Sequence, residues 1–180
     1  MAMTGRQVAL LTGRSSHSGV LDALNRLSTQ GLVDRVELNR ASLFSLNRDH
    51  LAAPAVIALA GLRTELVARI RAEIAAWAIA PIHASLFGST ARGDGDTRSD
   101  IDLFVVRPAY VLEDDGCWRA QLDGLAARIE RWTGNRASIS EAAEPEISRL
   151  RSDPPPIVDE LRSDAILLGG QTLTGLLAEN

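Results

Sequence analysis

The spacing of apolar residues changes from helical to alternating within the first fifty residues. Residues 6–11 form a short helical run, and a longer helical run follows with four apolar residues on one side: Val20, Leu21, Leu24 and Leu27. Ser15 or Ser16 can cap this second helix, and Gly31 can end it. Two runs of alternating apolar and polar residues follow, at 32–38 and 42–46, and Asn39–Arg40 forms a turn between them. The pattern predicts two helices followed by a β-hairpin.

Beyond residue 50, helical and strand-like stretches alternate. A helix is predicted from Pro54 through Trp77, with a core stripe at Leu66, Ile70, Ile74 and Trp77. Short apolar runs predict four strands, at 82–87, 101–106, 137–140 and 165–168. Helical patterns lie between them, at 89–92, from Asp114 or Asp115 to Trp132, at 141–150 and at 157–163.

Residues 87–104, which read FGSTARGDGDTRSDIDLF, place polar groups of chemical interest between two apolar runs. Ten residues separate Gly88–Ser89 from Asp100, and Asp102 follows inside the second run. Because side chains alternate along a strand, Asp100 and Asp102 are expected on one face, with Cα atoms about 6.5 Å apart. Paired carboxylates can hold one hard cation or two. The sequence therefore predicts a divalent-metal site at this pair.

The Gly-Ser turn has the properties of a phosphate-binding turn. Gly88 has no Cβ, so a phosphate can approach the backbone, and Ser89 stands at a predicted helix start with free N–H groups. Arg92 adds positive charge three residues later. A lone Gly-Ser is usually only a turn, and a lone Asp-x-Asp is usually surface. The combination of both with two strands is far more specific, and it predicts a protein that handles a nucleoside triphosphate with Mg²⁺.

This combination resembles the signature of the minimal nucleotidyltransferases of the DNA polymerase beta superfamily, which is Gly-Ser, about ten residues, then Asp-x-Asp. The resemblance covers about residues 62–168. It implies that Gly88 and Ser89 bind the triphosphate, and that Asp100 and Asp102 are the catalytic acids that bind Mg²⁺ or Mn²⁺. Arg92 is added to the predicted nucleotide-binding residues because of its position, not because of the resemblance. It also implies transfer of a nucleoside monophosphate, AMP from ATP, to a hydroxyl of a protein or small molecule. Several relatives are antitoxins that attach AMP to a HEPN-type toxin, so such a partner is implied too.

The later strand departs from the family pattern. The family often supplies a third acid from that strand, which here is expected near residues 137–141. If Ile139 packs on the helices, Ser138 and Ser140 face the site and Glu141 faces away. Glu141 is then the possible third acid only if a β-bulge turns it inward.

The two helices and the hairpin at the N-terminus are the element order of a winged helix-turn-helix, which precedes such a domain in some bacterial regulators. Residues 1–50 carry six Arg and four acidic residues, whereas the rest of the chain carries thirteen Arg and nineteen acidic residues. This asymmetry indicates a DNA-facing N-terminal domain. The predicted phosphate contacts are Arg14, Arg26, Arg35 and Arg40. The helical run at residues 6–11 corresponds to the second helix of a winged helix. Only five residues precede it, so the first helix of that fold is expected to be absent or rudimentary.

Composition limits the classes of function. The net charge of −4 excludes a protein that is basic overall and binds nucleic acid through its whole surface. Cys117 is the single cysteine, which excludes a disulfide framework and fits a reducing cytoplasm. The N-terminus does not have the pattern of a signal peptide, and the most apolar stretch, 51–62, is too short to span a bilayer. We therefore expect a cytoplasmic protein with no membrane partner.

Taken together, the patterns and the resemblance predict an α+β protein. A small winged-helix-like domain is expected over 1–50, and a nucleotidyltransferase domain over 51–180, with a short mixed β-sheet and helices on one face. Two other functions remain open. One is a nucleotide-sensing, DNA-binding transcription regulator with a degenerate transferase domain, and the other is an antitoxin that masks a toxin by contact alone. A homodimer is compatible with each.

Overall fold

A computed structural model of the protein describes residues 1–12, 16–39, 41–95, 99–147, 149, 154 and 157–178. The chain divides into two units, Met1–Leu62 and Arg63–Asn180. The predicted boundary between residues 50 and 51 falls inside the first unit, because the helix that follows residue 52 belongs to that unit.

The first unit contains the predicted pair of helices and the hairpin. Its elements before residue 50 are β1 (Met3–Thr4), α1 (Gly5–Thr12), α2 (His17–Thr29), β2 (Val33–Leu38) and β3 (Ala41–Leu46). The strands form an antiparallel sheet in the order β1-β3-β2. Ser16 caps α2, since its Oγ accepts the Gly19 N–H at 3.1 Å. The two-residue strand β1 was not predicted, because two residues are too few to show a period.

One predicted helix proves to be two. The pattern from Pro54 to Trp77 is divided into α3 (Ala53–Ala60) and α4 (Leu62–Ala75). Gly61 lies between them, and its N–H donates to the carbonyls of Ile57 and Ala58, both at 3.1 Å. Glycine is a poor helix former, so it interrupts the helix even though the apolar spacing continues through it.

The second unit is built on a four-stranded sheet in the order β6-β5-β4-β7. The strands are β4 (His83–Phe87), β5 (Ile101–Arg107), β6 (Ala137–Ala143) and β7 (Ile166–Gly170). β4 is antiparallel to β5 and β7, whereas β5 is parallel to β6, so the prediction of a mixed sheet is confirmed.

The predicted helix at 141–150 is wrong over its first residues. β6 continues to Ala143, and a 3₁₀ turn follows at Glu144–Glu146. The register pairs Val105 with Glu141 and Arg107 with Ala143. Backbone hydrogen bonds to β5 thus outweigh the helical preference of the Glu-Ala-Ala segment, because propensity is a weak prior that tertiary context overrides.

Helices cover both faces of this sheet, so the prediction of helices on one face is wrong. α4 and α6 (Gly116–Thr133) pack on one face, in a core that includes Ile70, Trp118, Leu125 and Ile129. α7 (Ile157–Asp164) and α8 (Leu173–Ala178) pack on the other, in a core that includes Phe87, Phe104, Val106 and Leu161. β5 supplies both cores, and five of its seven residues are buried, as in a strand covered on both sides.

A polar pair lies inside the second core. His83 is 1% exposed and Ser85 is fully buried. His83 Nδ1 lies 2.7 Å from the Gln171 carbonyl, and Nε2 lies 2.9 Å from Ser85 Oγ. A carbonyl can only accept, so Nδ1 carries the proton and Nε2 accepts from the Ser85 hydroxyl. Burial lowers the pKa of His83 from its ordinary value of 6.5, against the opposing effect of the Gln171 bond.

This lowered pKa predicts the direction of a pH effect on stability. Below about pH 6.5 the histidine at position 83 binds a proton more readily in the unfolded chain than in the native protein. The contribution of neutral His83 to the free energy of unfolding is therefore full above that pH and declines below it. In urea titrations between pH 7.5 and 5, His83→Gln should flatten this decline. His17→Gln, at an exposed histidine, should keep the wild-type slope. Equal slopes for wild type and His83→Gln would contradict the assignment.

Candidate functional site

Gly88 brings its backbone against the Asp102 carboxylate. Phe87 and Asp102 are Cα partners where β4 ends and β5 begins, and Gly88 follows directly with φ +69°. A Cβ built on Gly88 would lie 2.7 Å from Asp102 Oδ2, closer than real Cβ atoms come to any neighbour. Glycine is therefore needed here twice, for its left-handed backbone and for the close approach of the carboxylate.

The electrostatics of Asp102 are unfavourable. Asp102 is half-buried within β5, and Asp100 is exposed just before the strand begins at Ile101. Burial raises the pKa of Asp102 above its ordinary value, the negative charges of Asp100 and Glu160 raise it further, and Arg92 lowers it. A hard cation between such oxygens would relieve both burial and repulsion, so the donor set fits a divalent metal.

The Gly-Ser turn is closed by its own backbone. α5 (Gly88–Arg92) follows Phe87, which has no polar side-chain atom with which to cap it. The Ser89 carbonyl accepts three N–H groups, those of Gly93 at 2.9 Å, Asp94 at 3.1 Å and Gly95 at 3.2 Å. A Cβ on Gly95 would lie 3.2 Å from Ser89 Oγ, so the returning chain passes close over that hydroxyl. The Ser89 side chain is consequently held next to the glycine turn.

Arg92 lies at the edge of the same cluster. Its Nε is 3.5 Å from Asp94 Oδ2, and its Nη1 is 3.5 Å from Asp164 Oδ2 on α7. Its side chain is 41% exposed, and exposed ion pairs of this kind contribute little stability. A phosphate can therefore compete for the guanidinium, which is the role that the sequence predicts.

Glu141 lies on the opposite face of the sheet. The β5–β6 register pairs Asp102 with Ser138 and Phe104 with Ser140, so both serines share the face of Asp102. Glu141 is paired with Val105 and points to α6. Its carboxylate accepts from three donors: Arg107 Nε at 2.7 Å, Trp118 Nε1 at 3.0 Å and Arg119 Nη2 at 2.5 Å. These contacts compensate the negative charge of Glu141 and give its carboxylate a structural role.

Of the four arginines predicted to contact DNA, the structure describes two, and these differ in how far they are engaged by other side chains. Arg26 is exposed in the last turn of α2. Arg35 is engaged within its own unit, since it donates to Asn25 Oδ1 at 3.1 Å, pairs with Glu37 at 3.0 Å and lies 5.9 Å from the Phe44 ring centroid. Arg14 and Arg40 lie outside the described residues.

Sequence reasoning missed Glu160 and Asp164. The helical pattern at 157–163 predicts their element but not which side of it faces Gly88, and only the packing of α7 brings their charges to the site. Within the described ranges, no three His, Cys, Asp or Glu residues lie close enough to hold a metal ion together. In the same part of the chain, no helix is both long and apolar enough to cross a bilayer.

Comparison with known proteins agrees with this geometry. The family model described as nucleotidyltransferase domain matches residues 68–159, just over half of the chain. The matched segment contains the Gly88–Ser89 turn, the two aspartates and strands β4 to β6. No curated protein matches the chain. The chain belongs to the nucleotidyltransferase domain family.

Proposed function

We propose that the second unit is a metal-dependent enzyme that transfers a nucleoside monophosphate, AMP from ATP, to a hydroxyl group. The observation that carries the proposal is the contact between Gly88 and Asp102. It joins a turn suited to phosphate with a carboxylate whose charge is uncompensated, so a metal–triphosphate complex would satisfy both.

The proposed roles are the ones that the sequence predicts, and the approach of Gly88 to Asp102 supports them. Asp100 and Asp102 would hold Mg²⁺ or Mn²⁺. Gly88 and Ser89 would bind phosphate oxygens, and Arg92 would reach the phosphate end from the edge of the cluster. When bound, the metal ion would stabilise negative charge on the triphosphate and on the leaving pyrophosphate. The pairing of Phe87 with Asp102 keeps Gly88 and Asp102 together, so these two groups would be oriented before the nucleotide arrives, which reduces the cost of orienting them.

The acceptor that we propose is a hydroxyl on a partner protein, with a HEPN-type toxin as the candidate. The support is the resemblance of the Gly88–Ser89 and Asp100–Asp102 signature to that of the nucleotidyltransferases, several of which are antitoxins that attach AMP to such toxins. Ser138 and Ser140, which stand on the face of Asp102, favour a second candidate. Without a carboxylate there, the domain would bind a nucleotide and regulate transcription instead of transferring AMP.

Removing either aspartate should abolish metal-dependent nucleotide binding. In calorimetry with ATP and Mg²⁺, we expect no measurable binding by Asp100→Asn or Asp102→Asn. In the metal-free protein at neutral pH, Asp102→Asn should raise the melting temperature, because it removes a buried and repelled charge. Asp159→Asn, at an exposed acid on α7, should change neither quantity. Equal ATP affinity of the wild type in excess chelator would refute the metal site.

A pair of glycine substitutions separates backbone strain from loss of the site. Gly88 and Gly134 have similar positive φ values, +69° and +75°, so the backbone strain of an alanine should cost each about 1–2 kcal/mol of stability. An added Cβ meets Asp102 at Gly88 but no described atom within 4 Å at Gly134. Gly88→Ala should therefore also lose Mg²⁺–ATP binding in calorimetry, whereas Gly134→Ala should keep it. Loss of binding in both variants, or in neither, would contradict this assignment.

We also propose that the first unit binds DNA through phosphate contacts. The supporting observation is the exposed Arg26 on α2, the helix that is followed by the β2–β3 hairpin. Each phosphate contact contributes about 0.9 to the slope of log affinity against log salt concentration. In gel retardation of the protein's own promoter, Arg26→Ala should weaken binding and lower this slope by about 1. Arg131→Ala, on exposed α6 surface, should not. No retardation of the wild type at low salt would exclude DNA binding.

A further inference from the structure

The four-stranded sheet of the second unit has two edge strands, and only one of them is protected. At the β7 edge the Leu167 carbonyl accepts from Arg71 Nε at 3.0 Å and Nη2 at 2.7 Å, so a guanidinium occupies part of the outer side. The other edge is β6, with seven residues against the five of β7. Proteins usually protect edges with charged side chains, proline or bulges, because an open edge can pair with another strand.

The hydrogen-bond pattern with β5 shows which backbone groups of β6 point outward. The Ile101 N–H donates to the Arg136 carbonyl at 2.8 Å, and the strands are parallel with Ile101 paired to Ala137. In a parallel pair, alternate residues direct both their N–H and their C=O to the neighbouring strand. Three residues of β6 therefore direct their backbone groups away from β5: Ala137, Ile139 and Glu141. In the part of the chain that the structure describes, no hydrogen bond reaches these outward groups.

This open stretch, residues 137–141, is centred on Ile139. It ends before Ala143, whose N–H donates to Glu146 Oε2 at 2.7 Å. Lysine, arginine and proline do not occur in it, and its one charged residue is Glu141. The Glu141 carboxylate points to α6 and is compensated there by two guanidiniums. The edge thus carries none of the features that usually prevent strands from pairing.

The open stretch is complementary to itself in the antiparallel direction. A two-fold axis through Ile139 pairs this residue with its own copy and pairs Ala137 with Glu141, so each outward N–H meets an outward C=O. In the same register Ser138 lies beside Ser140 of the copy, and hydroxyl pairs of this kind favour strand pairing. Every outward backbone group and both serines therefore find a partner in a second copy.

The charges at the two ends of β6 also fit an antiparallel copy. Arg136 precedes the strand and is exposed, and Glu144 and Glu146 follow the strand and are exposed. Antiparallel pairing brings the arginine of each copy beside the two acids of the other, whereas parallel pairing would place like charges side by side. This charge complementarity points to a second copy of the chain as the occupant of the edge.

We propose that two copies of the chain pair through β6 in a two-fold symmetric dimer with a continuous eight-stranded sheet, four strands from each copy. The interface is isologous, because the same residues serve both sides. The axis is perpendicular to the sheet, so the Asp102 carboxylates of both copies face the same side. Their strands are three strand spacings apart, roughly 14 Å. The dimer thus brings two candidate sites together on one face of the sheet.

Proline at position 137 tests the backbone pairing in the full-length chain. Ala137→Pro removes an outward N–H without removing a bond to β5, and proline is tolerated at the first residue of a strand. We expect wild type to sediment as a dimer at micromolar concentration. The proline variant should raise the dimer dissociation constant about tenfold or more, because both copies lose a hydrogen bond across the axis. Ala137→Ser, which keeps the N–H, should dimerise as wild type does, and circular dichroism checks that both variants fold.

Disulfide cross-linking tests the register. In a Cys117→Ser background, Ile139→Cys should form an interchain disulfide with oxidised glutathione, because this residue faces its own copy with Cα atoms about 5.5 Å apart. Ala137→Cys, which faces Glu141 of the copy instead, should not. Arg136→Glu changes an exposed side chain outside the strand, and it should weaken the dimer several-fold by placing like charges together.

Contrary results would identify a different arrangement. A wild type that sediments as a monomer overturns the dimer. If the proline and serine variants dimerise equally, or if Ala137→Cys cross-links as fast as Ile139→Cys, the copies do not meet through β6 in this register and the proposal is wrong. Should the proline variant fail to fold, cross-linking and Arg136→Glu decide instead. None of these measurements involves nucleotide transfer, so the proposed function is tested separately.

Discussion

The candidate site depends on the close approach between the Gly88 backbone and the Asp102 carboxylate. That approach exists because β4 and β5 pair antiparallel up to Phe87 and Asp102, and because both strands are buried by helices. A side chain at position 88 would separate the glycine turn from the aspartate. The apolar strands hold Gly88 and Asp102 in place, so a change that disturbs the packing of the sheet would also disturb the site.

Two carboxylates on adjacent strands, Glu141 and Asp102, have opposite electrostatic environments. Glu141, on one face, accepts from two guanidiniums and an indole, so its charge is compensated and the contacts join β5, β6 and α6. Asp102, on the other face, is pressed against a glycine and repelled by two acids, so its charge is costly. Stable folds tolerate such uncompensated groups where a ligand can relieve them, and the cost is carried by the surrounding core.

The second face of the sheet is what completes the site. Phe87, Phe104 and Val106 are apolar on the same face as Asp102, and α7 and α8 cover them. Covering that face places the polar side of α7 beside α5, so Asp164 meets Arg92. An open sheet with helices on one side only would leave Asp102 exposed to water and without these neighbours.

The sequence by itself was sufficient for the elements whose signals are local. The Gly-Ser turn, the Asp-x-Asp pair and the strand cores all follow from residue type and short-range spacing. The helix caps were narrowed to two adjacent residues each, and the structure selects Ser16 and Asp115. The division of the helix at Gly61, the extension of β6 to Ala143 and the two-sided cover of the sheet required the tertiary structure. Pairing with β5 overrode the helical preference of residues 141–143, and it also set which face Glu141 occupies. The charge of Glu160 reaches Asp102 only through the packing of α7, because residues 58 positions apart have no local relationship that a pattern can record.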